Sequence, residues 1–149
     1  CSDDGEPSGT AGRPMLDVLL GAEVHNICVV VTRYFGGTLL GTGGLVRAYS
    51  GAVQEGLSNS TIVEKCLGRQ LDITTDYTGI GKIQYILAQN QIITLDTQYT
   101  DKVQVSAMVP QEKLDSIVAE ITEGTSGRAE LLEGDPVYYG LLDGEIVVF

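Results

Sequence analysis

Five apolar residues in succession, Ile27 to Val31, lack the alternation of a half-exposed strand, and three of them are Val. Such a run predicts a strand covered on both faces. Thr32-Arg33-Tyr34 then puts a cation and an aromatic ring at its carboxyl end, and Gly36, Gly37, Gly41, Gly43 and Gly44 follow. After Gly44 the period changes to that of a helix. Leu45, Tyr49, Ala52 and Val53 share one face of a 100° wheel, with Arg47, Ser50 and Gln54 roughly opposite. Gly56 and Ser58-Asn59-Ser60 close it. Upstream, Pro14 opens a short apolar helix through Met15, Leu16, Val18, Leu19 and Leu20, which stops at Gly21. Thr61 to Leu67 reads as a strand, and Gly68-Arg69 as a domain boundary.

The second half alternates more regularly. Strands are expected over 70–76, 91–99, 102–109 and 128–132. A helix over 78–89 carries Ile80, Ile83, Ile86 and Leu87 on one side, and a helix from Pro110 to near Gly124 carries Leu114, Ile117, Val118 and Ile121. The order βαββαβ is the ferredoxin-like split βαβ plan. Beyond it, residues 137–142 and 145–149 flank Asp143-Gly144, a hairpin signal, in a tail suited to covering a sheet edge or pairing with a neighbour. The resulting division is 1–69, 70–133 and an extra β-hairpin over 134–149, an α+β chain of two domains.

Composition narrows the partners. The 149 residues carry a net charge of −11, and 43% are hydrophobic. Residues 1–69 hold seven acids and five bases, whereas residues 70–149 hold thirteen acids and four bases. A broad basic footprint for nucleic acid is therefore absent, and any phosphate contact belongs to the first half. No apolar run approaches the ~20 residues that span a bilayer. Cys1, Cys28 and Cys66 have no metal spacing and point to a reducing cytosol, hence a cytoplasmic protein. The chain starts without Met; Cys1-Ser2 would suit the mature end of a lipoprotein, but an N-terminally truncated chain is the preferred expectation.

The candidate chemistry gathers at the glycines. Glycine lets backbone approach another group, and a helix start carries bare N–H donors with partial positive charge. Arg33, Tyr34, Gly36, Gly37, Gly43, Gly44 and Arg47, joined by Arg13, therefore read as an anion-binding face. The competing reading is a packed strand-to-helix corner. The sequence has neither the Gly-Lys-Ser/Thr of a phosphate loop nor the third glycine of a dinucleotide fingerprint. Asp3, Asp4 and Glu6 are too few and wrongly spaced for a calcium loop, and a solvated acidic turn accounts for them. Ser8 and Thr10 could add donors if the leading loop folds over the platform. Arg47 near a helix start gains nothing from the dipole, so either a second task or a salt bridge to Glu6 or Asp4 is expected. His25, the only histidine, reads as structural or solvated, because no orienting acid can be placed for it. Tyr77, Gly79, Gly81 and Lys82 read as a helix cap. Tyr138 and Tyr139, adjacent in a strand, point to opposite faces.

Residues 2–14, Ser-Asp-Asp-Gly-Glu-Pro-Ser-Gly-Thr-Ala-Gly-Arg-Pro, resemble the signatures of the YigZ/IMPACT family. So do residues 31–37, Val-Thr-Arg-Tyr-Phe-Gly-Gly, with residues 40–49, Leu-Gly-Thr-Gly-Gly-Leu-Val-Arg-Ala-Tyr. The resemblance implies an N-terminal domain of the ribosomal-protein and elongation-factor domain IV type, with a left-handed βαβ crossover. It implies a C-terminal domain like a ferredoxin-like domain of elongation factor G. Family members normally carry a first strand and helix before the Asp-Asp-Gly-Glu-Pro segment, so this N-terminal domain is expected to be incomplete. Eukaryotic relatives act in translational control by binding a regulator of an initiation-factor kinase. The expected function is thus a non-enzymatic module of translation that meets the ribosome, RNA or a translation factor, without cofactor or metal. A phosphate- or nucleotide-handling enzyme built on the glycine loop is the alternative, and a purely architectural interaction domain a third.

Overall fold

Helix α1 (Gly12–Gly21) begins where Pro14 already holds a helical φ, and it has no capping side chain of its own. Its cap comes from a distance: the Asp3 carboxylate accepts hydrogen bonds from the N–H groups of Gly9, Ala11 and Gly12 at 2.9, 3.0 and 2.8 Å. Gly12 is obligatory, since a Cβ there would lie 2.5 Å from the Ser2 carbonyl oxygen. At the other end Glu23 turns left-handed (φ 54°), and its N–H bonds to the Leu20 carbonyl. Helix α2 (Gly41–Ser58) is about 27 Å long at the usual rise. It buries Leu45, Tyr49 and Val53, as its period predicts. Ala11, Leu45 and Tyr49 form a small core that Met15 and Val31 join.

In this computed structural model, which describes residues 1–149, the chain divides into two units, Cys1–Ile62 and Val63–Phe149. The first holds α1 and α2 and no paired strand. Ile27–Val31 corrects the sequence expectation. The run is irregular and largely exposed, with Val30 83% accessible, because no neighbouring strand lies beside it to form a ladder. Residues 61–65 are likewise irregular rather than a strand.

The second unit is a five-stranded antiparallel sheet in the order β2-β3-β1-β4-β5. Its strands are β1 (Cys66–Thr75), β2 (Ile93–Tyr99), β3 (Val103–Pro110), β4 (Glu130–Leu142) and β5 (Glu145–Val148). Helix α3 (Ile80–Gln89) joins β1 to β2, and α4 (Leu114–Gly124) joins β3 to β4. Leu71 and Ile73 of β1, Val103 and Val105 of β3, Ile83 of α3, and Ile117 and Ile121 of α4 are fully buried together. The strands' period of two and the helices' i, i+3, i+4 stripes thus meet in one layer. Gly68-Arg69 lies inside β1, and the last predicted strand and the tail's first are one continuous β4. Asp143-Gly144 forms the β4–β5 turn, with both residues at positive φ (51° and 85°). Tyr139 is buried, whereas Tyr138 is half-exposed.

Candidate functional site

Three segments of the first unit meet on one carboxylate. Glu6 Oε1 accepts from Arg33 Nε at 2.5 Å and from Tyr49 Oη at 2.9 Å. Tyr49 is brought there by α2, Glu6 by the leading loop and Arg33 by the segment after Val31. The Arg33 guanidinium, then the Tyr49 hydroxyl, hold the Glu6 carboxyl below its usual range. Burial, then the neighbouring Glu6, raise the Tyr49 phenol. The Glu6 carboxylate in turn raises the Arg33 guanidinium. Wheel geometry puts Tyr49 in the apolar stripe but does not name its partner; the available signal is that a buried tyrosine hydroxyl needs one.

The sequence-predicted residues are therefore divided. Arg33 is occupied by Glu6, and Arg13 pairs with Asp17 one turn further along α1 at 2.8 Å. All three are exposed, but Arg47 alone enters none of the ion pairs, so of its two expected roles the salt bridge to Glu6 or Asp4 does not form. Helix α2 starts at Gly41, two residues before the glycine pair. Its first turn has no side-chain cap and no acidic residue. Gly37 and Gly41 take positive φ (86° and 69°), which only glycine adopts without strain. Around Gly36 and Gly43 a Cβ would meet nothing, whereas at Gly44 it would press on Leu40. Tyr34 is 89% accessible.

Of the leading loop, Asp3 is spent on the α1 cap, whose three amide donors keep its carboxyl below the usual range, those of Gly9 and Gly12 foremost. Thr10 is buried, its hydroxyl donating to the Pro7 carbonyl at 2.6 Å. Asp4 and Ser8 are exposed. These residues build a clasp rather than a donor set over α2. No three His, Cys, Asp or Glu side chains converge as metal ligands. His25 is exposed after α1. Between the two helices lies an open groove of about 660 Å³, lined by Pro14, Val18, Val46, Ser50 and Leu57 among others. In the second unit the Asp76 carboxylate caps the turn into α3, accepting from Thr78 and Gly79.

Comparison with known proteins matches residues 1–57 to the Impact N-terminal domain and residues 73–128 to a domain of unknown function, DUF1949. The IMPACT family member YvyE of Bacillus subtilis is 42% identical over 137 residues, 92% of this chain and 63% of that protein. The chain belongs to the IMPACT family. The IMPACT family member YigZ of Escherichia coli is 38% identical over 131 residues, covering 88% of this chain and 64% of YigZ. An IMPACT family member of Haemophilus influenzae is 39% identical over 137 residues, 89% of this chain and 65% of its own. The chain thus spans a little under two thirds of the length of these relatives. A solved structure described as an hypothetical protein shares 38% identity over 88% of this chain and 64% of its own, with a TM-score of 0.47. No helix of this IMPACT-family chain is long and apolar enough to cross a membrane.

Proposed function

We propose that this IMPACT-family chain is a cytoplasmic, non-enzymatic module of translational control, which receives an anionic group of the ribosome, RNA or a translation factor at the start of α2. The observation that carries this reading is the pairing of an uncapped, acid-free first turn with an unpaired Arg47 in the following turn. Exposed N–H groups and the positive end of an 18-residue helix favour an anion, and the guanidinium adds a charge with fork-like donors. Gly36 and Gly43 leave main chain bare for close approach. Arg33 and Arg13 serve the clasp and the α1 surface, so the platform is narrower than the sequence alone implied.

The finer domain likenesses belong to the same proposal. The strand order β2-β3-β1-β4 with both crossover helices on one face supports a ferredoxin-like second domain. For the first, the ribosomal-protein and elongation-factor domain IV type rests on family membership. Co-sedimentation of the protein with ribosomes at physiological salt tests the function. Binding that falls when Arg47→Ala is introduced, and persists with Arg13→Ala, supports it. Absence of co-sedimentation, or equal binding by Arg47→Ala, refutes it.

A further inference from the structure

The two edges of the second unit's sheet are built differently. Along the β2 edge the register slips between Thr94 and Asp96, and a carboxylate stands at the irregularity. A bulge and a charge are the usual protections of an exposed edge. The β5 edge has no bulge, and its one charge is Glu145 at its first position. Its pairing with β4 runs unbroken from Leu142 opposite Glu145 to Tyr139 opposite Val148. After Glu145 come Ile146, Val147, Val148 and Phe149 without a charge or a proline, and Val148 and Phe149 are more than half exposed. The Phe149 N–H bonds inward to the Tyr138 carbonyl at 2.8 Å. By the alternation of an antiparallel ladder, Ile146 and Val148 therefore turn their N–H and C=O groups outward, unpaired.

A second observation lies on the same face. Val63 and Glu64 pass across Gly140, where a Cβ would strike the Val63 side chain. That path sets the Lys65 ammonium 4.5 Å from the centre of the Phe149 ring and 5.5 Å from that of Tyr138. Lys65 and Glu145 are absent from the protein's ion pairs. One cation and one anion thus flank a bare apolar edge, each without an opposite charge.

We propose that β5 is a homodimer edge, at which two copies of this chain pair antiparallel about a two-fold axis through Val147. In that register Ile146 lies opposite Val148 of the second copy, joining the two residues whose main-chain groups point outward. Glu145 lies opposite Phe149 of the second copy. Directly opposed residues share a sheet face, so each Glu145 carboxylate arrives beside the Lys65 that rests on that ring. The two-fold repeats the ion pair, and the two sheets become one. A second copy is selected over an unrelated strand because the edge carries both halves of the complement, the closed self-matching contact of a two-fold dimer. So short a strand covers little area, which makes the dimer weak and concentration dependent.

Sedimentation equilibrium over a concentration series at about 0.15 M salt, where long-range repulsion between acidic chains is screened, tests this on the whole chain. The average mass is expected to rise from 15.9 kDa toward twice that value. Ile146→Pro removes an outward N–H while sparing the β4 ladder, and it is expected to abolish the rise. Glu145→Lys sets two cations together and is expected to do the same, and adding Lys65→Glu to it restores the dimer. Circular dichroism of each variant confirms folding, and the charge swap keeps the test open should the proline variant misfold. A wild-type chain that stays at 15.9 kDa, a dimer that survives both single variants, or a charge swap that fails to restore association overturns the proposal.

Discussion

The runs Ile27–Val31 and Val103–Val109 are both rich in β-branched residues, and they have opposite fates. Val103, Val105, Ala107 and Val109 are fully buried, because β3 lies between β1 and β2 and under two helices. Ile27 and Val30 are exposed, and no ladder holds their main chain. Each run carries three valines, the first without polar interruption and the second alternating with Gln104 and Ser106; their neighbours differ completely. A strand is a property of a pair, since its backbone donors and acceptors are satisfied only by another strand. The first unit rests instead on two helices and on side chains that reach across loops, namely Asp3 onto α1 and Glu6 onto Arg33 and Tyr49.

The largest expected effect lies in the closed core. Ile83→Ala or Ile117→Ala should cost about 2–5 kcal/mol in urea unfolding, because each empties a site with no solvent access. Met15→Ala, half-buried in the first unit, should cost less. Equal losses would erase the contrast between the units.

Next come two glycines of the first unit with opposite signs. Gly12→Ala forces a methyl onto the Ser2 main chain and should destabilise by about 1–3 kcal/mol. Gly43→Ala meets open space within a helix and should stabilise by about 0.4–1 kcal/mol. Thermal unfolding of the pair reads both signs directly.

Acid should act on the clasp. Asp3 and Glu6 have folded carboxyl values below the ordinary 3.8 and 4.5. Between folded and ordinary values the unfolded chain binds more protons, so their stabilisation is present above about pH 4.5 and lost as pH falls through the folded values. Hydrogen exchange followed from pH 6 to pH 3 should show α1 and α2 loosening, and Glu6→Gln should flatten that slope. Asp76 and Asp101 are lowered in the second unit too, by their Thr78 and Thr100 neighbours first, so both units weaken with acid. The variant separates the first unit's share.

The smallest expected effect on stability belongs to Arg47→Ala, within about 0.5 kcal/mol of wild type because the side chain is exposed and unpaired. Unchanged unfolding beside lost ribosome binding would separate a docking residue from a structural one.

Much was legible where local period and tertiary partner agree. The stripes of α2, α3 and α4 and the alternation of β1 and β3 announced themselves, Pro14 and Gly21 marked α1, and Asp143-Gly144 marked its turn. The glycine-bearing start of α2 was legible as a place, two residues late. The company of the arginines was not. Nothing in the spacing of Glu6, Arg33 and Tyr49 says that they converge, or that Arg13 turns to Asp17 and leaves Arg47 alone.

By itself, then, the amino-acid order determined which segments coil, which alternate and where glycine permits a turn, for these depend on residues only a few positions apart. Tertiary structure decided whether an apolar run becomes a strand, which carboxylate occupies which guanidinium, and that β4 continues into the final hairpin. Those outcomes depend on hydrogen-bond and charge partners distant along the chain, and no local pattern encodes a partner.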